Sequence, residues 1–140
     1  MMYSICRKLR EHEHWFAECW SMLFLLFVGI DGLAMPSIGL LHNACVRGFS
    51  SVLPDGLWQA LFVATAMLQY IALFKESLLL RGVASFISAS LLIWGMLNLL
   101  LYGAVWHFSM IAWGFFAAIN LYALSRILTG IESKYVGKAL

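Results

Sequence analysis

Hydrophobic residues in this chain fall in four long runs. A helix crossing ~30 Å of hydrocarbon needs about 20 apolar residues at ~1.5 Å rise. The runs cover 16–35, "LWQALFVATAMLQYIALF" at 57–74, "GVASFISASLLIWGMLNLLLYGAV" at 82–105 and "FSMIAWGFFAAINLYALSRIL" at 108–128. Each is long enough for one crossing. The joints carry their own signals. Pro54, Asp55 and Gly56 form a turn with a candidate N-cap before the second run, and Lys75, Glu76 and Arg81 mark a polar turn before the third. Only Trp106 and His107 separate the third run from the fourth, which predicts a tight hairpin between antiparallel neighbours.

Composition agrees with this pattern. Of 140 residues, 63% are hydrophobic and 11% charged, against about 45–50% and about 25% in soluble domains. One transmembrane domain accounts for the whole chain, with 1–15 as lead-in and 129–140 as tail. Lysine and arginine give the orientation. With the N-terminus in the cytoplasm, Arg7, Lys8, Arg10, Lys75, Arg81, Arg126, Lys134 and Lys138 lie on that side and only Arg47 lies opposite. Positive charge favours the cytoplasmic face. The expected fold is an all-α, polytopic four-helix antiparallel bundle in a bacterial-type inner membrane, with both termini cytoplasmic. A competing expectation is a signal peptide, since basic residues precede the first run and Gly32-Leu33-Ala34 offers small residues at a cleavage site.

Polar residues inside the runs are the candidate functional positions. Asp31 lies fifteen residues into the first run, or ~22 Å along a helix, in the outer half of the membrane. Gly32 and Pro36 follow it, which predicts a kink or a helix ending at Ile30. Asn98 reaches a similar depth in the third run, with His42, Arg47 and His107 on the same side. Gln69 and Asn120, each twelve residues into the second and fourth runs, form an inner layer. As structural glue, Asp31, Asn98, Gln69 and Asn120 would make interhelical hydrogen bonds averaging ~0.6 kcal/mol. In the sharper alternative, Asp31 titrates with His42 or His107 along an ion or proton path, although the inner half of the core offers no ionisable partner.

No other constellation points to chemistry. His12 and His14 suit a metal only on an extended strand, and a helix would place them about 200° apart. The four histidines lie in tails and joints, which disfavours haem between spans. Ser85, Ser88 and Ser90 have no histidine at their depth, so no nucleophilic triad is expected. Cys6, Cys19 and Cys45 form no CxxC pair. No metal, cofactor, enzyme activity or nucleic-acid partner is expected, the net charge of +2 being too dispersed to collect phosphates. Small residues four apart, Ala60 and Ala64, Ser85 and Ala89, Gly114 and Ala118, allow close helix approach within one bundle or between copies. Trp15, Trp58 and Trp106 fall where an interfacial belt is expected, and Trp20, Trp94 and Trp113 where packing in or against the bundle is.

The last run, "WGFFAAINLYALSRIL", the short "GAVWHF" hairpin and the overall size resemble small four-span membrane proteins encoded by tailed phages. That resemblance implies a phage or prophage origin and three candidate roles: a holin, an exclusion or host-modifying factor, and an accessory assembly protein. Many holins carry a strongly charged tail, whereas "ESKYVGKAL" is mildly basic. The expected function is non-enzymatic. It consists of association with the lipid bilayer and with further copies or another membrane protein, with holin-like permeabilisation and transport through Asp31 as alternatives.

Overall fold

The computed structural model describes residues 15–34, 47–103 and 108–129. Five helices occupy these segments: α1 Trp15–Ala34, α2 Arg47–Val52, α3 Asp55–Lys75, α4 Leu78–Tyr102 and α5 Phe108–Leu128. Four of them, all but α2, are long and apolar enough to cross a membrane. The chain is therefore built as a multi-pass membrane protein, all-α in its described parts.

Local chemistry moves several helix ends from their expected places. Pro54 precedes α3 with φ −56° and a free carbonyl that accepts from Leu57 N–H at 2.9 Å. Proline suits a helix start because its missing N–H would be unpaired there anyway. Asp55 and Gly56, expected in a turn, are thus already helical, and Asp55 sits in the first turn where the helix dipole favours a carboxylate. Glu76 ends α3 in the left-handed region at φ 55°, its N–H bonded to Leu73 O at 3.4 Å. Ser77 then caps α4, its Oγ accepting from Leu80 N–H at 3.5 Å. This cap starts α4 four residues before the expected Gly82, and the supposed turn residue Arg81 becomes a helical core residue. At its other end α4 stops at Tyr102. Helix α1 runs unbroken through Asp31 and Gly32 to Ala34, so the expected ending at Ile30 does not occur. Pro36 and the hairpin residues Trp106 and His107 lie outside the described residues.

The four long helices pack cyclically, α1 against α3, α3 against α4, α4 against α5 and α5 against α1. This leaves α1 and α4, and likewise α3 and α5, facing each other across the middle. The central cluster holds Leu25, Val28, Phe62, Leu91, Leu92, Trp113 and Ala117. Glycine makes room at two close approaches. A Cβ on Gly95 would overlap the Trp113 ring, and one on Gly32 would overlap Gln59.

Helix α2 lies between the first two apolar runs, where the hydrophobic pattern predicts no element. Its Phe49 is fully buried, with ring centroids 4.9 Å from Trp58, 6.0 Å from Phe62, 6.4 Å from Trp94 and 6.2 Å from Trp113. Trp58 Nε1 donates to the Phe49 carbonyl at 2.6 Å. Two expected belt residues are therefore core residues. Trp58 anchors α2, and Trp15 is buried beside Arg81. Trp20, by contrast, is exposed on the outer surface.

Candidate functional site: a polar core inside apolar helices

Each long helix places a stripe at three- and four-residue spacing toward the interior, and part of each stripe is polar. On α1 the stripe is Glu18, Ser21, Leu25, Val28 and Gly32, all buried. On α4 it is Arg81, Ser85, Ser88, Leu92, Gly95 and Asn98. Thr65 and Gln69 continue it on α3, and Asn120 on α5. The outward faces are apolar, with Phe27, Leu79, Leu101 and Phe115 among the most exposed side chains. Polar groups thus sit where protein surrounds them, as the absence of hydrogen-bonding partners in hydrocarbon requires.

One end of this core is a buried ion pair. Arg81 Nε donates to Glu18 Oε2 at 3.2 Å, and Nη2 donates to Oε1 of the same carboxylate. The guanidinium also lies 4.8 Å from the centroid of the Trp15 ring. Arg81 is 2% exposed and Glu18 5%. The planar fork of arginine suits a two-point contact with a carboxylate, and the aromatic face accepts the remaining positive edge. Neither residue was among the expected site residues. The expectation that the inner half lacks ionisable groups in its core is overturned by this pair.

A turn further along, three helices share one amide. Gln69 Nε2 donates to Asn120 Oδ1 at 2.7 Å. Asn120 Nδ2 donates to Ser21 Oγ at 2.5 Å and to Phe116 O at 2.8 Å. Asn120 is fully buried and ties α3, α5 and α1 together. Thr65 Oγ1 donates to Leu61 O at 2.7 Å, within its own helix. Gln69 Oε1 and Ser88 Oγ are buried and have no hydrogen-bond partner among the described residues.

The expected outer layer is not assembled in the same way. Asn98 Nδ2 donates to Trp94 O at 2.8 Å, and Asn98 makes no bond to Asp31. The Asn98 side chain instead lies against Gly48 of α2, where a Cβ would overlap it. Asp31 is half-buried near the end of α1. Between the two layers stand Leu25, Phe62, Leu92 and Trp113, with Phe24 stacked on Phe116 at 4.6 Å. This apolar barrier separates the inner polar groups from Asn98.

The small-residue pairs separate by environment. Ser85 and Ala89 are buried on α4, Gly114 is half-buried against Met96, and Ala118 is exposed. Ala60 and Ala64 both face outward on α3. Among the described residues, no group of three or more His, Cys, Asp or Glu side chains is placed to hold a metal. His12, His14, His42 and His107 lie outside the described residues, as do Cys6 and Cys45, while Cys19 is a free, half-buried thiol. Comparison with protein-family models, curated proteins and solved structures gives no match for this chain.

Proposed function

We propose that this chain is a small, non-enzymatic integral membrane protein that acts by associating with further copies of itself or with another membrane protein. The observation that carries the proposal is the outward Ala60–Ala64 pair. A lipid-facing helix gains nothing from alanine, whereas two alanines four apart let a second backbone approach closely. The polar side chains of the core are turned inward, so the outer surface is mostly apolar. An antiparallel arrangement is supported by the pairing of glycines with opposed positions, Gly29 with Val63 and Gly32 with Gln59, then Gly82 with Ile127 and Gly95 with Trp113. A bacterial inner membrane with both termini inside is supported by the lysine and arginine distribution. Cysteine at position 60, in a chain whose natural cysteines are replaced, should crosslink between copies or to a partner in mild detergent. Only monomer, with no co-purifying partner, would refute association.

A phage origin and a holin role rest on the resemblance of the last helix and hairpin. Induced expression with and without a cytoplasmic endolysin tests them. Sudden loss of membrane potential with endolysin-dependent lysis supports the holin, and steady growth with correct insertion removes it. Ion or proton passage is the second reading, favoured by the Glu18–Arg81 pair and the polar groups beyond it. Under this reading Glu18 takes the place expected of Asp31. Flux that persists unchanged in Glu18→Gln liposomes, with the protein still inserted, removes that role for Glu18.

A further inference from the structure

We infer that the polar part of the core binds water, which bridges Gln69 Oε1 on α3 to Ser88 Oγ on α4. Both atoms are buried and have no hydrogen-bond partner among the described residues. A buried polar atom left without a partner costs ~1–3 kcal/mol. Buried water commonly meets this need, making about three hydrogen bonds where polar groups converge.

The topology places the two residues at neighbouring heights on adjacent helices. Only Glu76 and Ser77 separate α3 from α4, and the two helices pack together. Height above that turn therefore rises by ~1.5 Å per residue on both helices. Gln69 stands at ~10 Å, Ser85 at ~12 Å and Ser88 at ~16 Å on this scale. The two Cα atoms therefore differ in height by ~6 Å, and because side chains tilt toward the N-terminus of their own helix, Gln69 reaches up from α3 and Ser88 reaches down from α4, toward one another. Ser85 on α4 and Thr65 on α3, both buried, add hydroxyls at neighbouring heights. Beyond Ser88 the stripe turns apolar at Leu92. This inference does not depend on association.

The test uses the full chain in lipid nanodiscs. Nuclear Overhauser transfer from water to the Gln69 side-chain amide is measured in the wild type, and unfolding equilibria are measured for Ser88→Ala and Ser90→Ala. Ser90 is an exposed serine on the same helix whose hydroxyl bonds its own backbone at 2.9 Å, so it reports the generic effect of the substitution. The expected results are a water cross-peak at Gln69 and an unfolding equilibrium displaced about fivefold by Ser88→Ala relative to Ser90→Ala. A missing cross-peak overturns the inference, as does a Ser88→Ala protein as stable as the Ser90→Ala control or more so, because loss of an unpartnered dry hydroxyl costs nothing.

Discussion

Replacing Glu18 with glutamine removes the carboxylate charge with which the Arg81 guanidinium, 2% exposed and enclosed by protein, is paired. Glutamine keeps only one of the two anionic oxygens that Arg81 bonds, as a neutral acceptor, and the Trp15 ring at 4.8 Å offsets only part of the lost charge. Breaking a buried pair from one side costs ~3–5 kcal/mol. Each ~1.4 kcal/mol is a factor of ten, so the folding equilibrium should shift by two to three orders of magnitude. Arg81→Met should cost a similar amount through the stranded Glu18. The double variant Glu18→Gln, Arg81→Met removes both charges together and should be far less damaging than the sum, with a coupling of ~2 kcal/mol or more. Arg81→Lys keeps the charge but loses the fork and the stacking, and should fall between the wild type and Arg81→Met. Unfolding in mild detergent, followed by circular dichroism and by tryptophan emission, gives all four values. Single variants each costing under ~1 kcal/mol, the range of exposed pairs, would refute the assignment of Glu18 and Arg81 as a desolvated lock. Additive single and double effects would refute it as well.

Four further outcomes follow from the packing. Gly95→Ala places a methyl inside the space held by the Trp113 ring, and should lower stability by ~1–3 kcal/mol with a shift in tryptophan emission; an unchanged melting curve would contradict the packing. Gly48→Ala meets the Asn98 side chain and should undock α2, seen as faster hydrogen exchange across 47–52 with little change elsewhere. Asn120→Ala removes the shared partner of Gln69 and Ser21, and should cost ~1–3 kcal/mol beyond Ser125→Ala, a substitution at an exposed position of the same helix. Ala60→Leu with Ala64→Leu should abolish intermolecular crosslinking, read from a cysteine placed at Met67 on the same outward face of α3, and leave the melting midpoint of the monomer unchanged.

The four long helices were legible because a membrane-crossing run is a signal of length and hydropathy that no local detail can hide. Gln69 and Asn120 were placed at one depth by counting residues, and the structure joins them. Counting failed where helix starts were misplaced. Arg81 was assigned to a turn because a charge next to Lys75 and Glu76 looks like a loop, whereas the Ser77 cap pulls it three positions into α4. Glu18 was passed over inside an apolar run, although its spacing to Ser21, Leu25, Val28 and Gly32 was the available clue to an inward stripe. Asp31 drew attention because it is a carboxylate in hydrocarbon, yet the same reasoning applied to Glu18 with a partner of opposite charge. Helix α2 left little trace, since six residues carry no period and its position depends on one side chain, Phe49, finding four aromatic neighbours.

The sequence separation of the core's bonded partners has a consequence for how the protein is made. Glu18 precedes Arg81 by 63 positions, and at ribosomal rates of about 5–20 residues per second its carboxylate waits about 3–13 s for Arg81 to be synthesised. Ser21 waits longer, because Asn120 comes 99 positions later on the final helix. Glu18 is thus made well before Arg81, and the bonds that join Ser21, Asn120 and Gln69 close only once α5 has been made. Assembly of the polar core follows the order of synthesis, and a chain cut before α5 lacks the amide that Ser21 and Gln69 share.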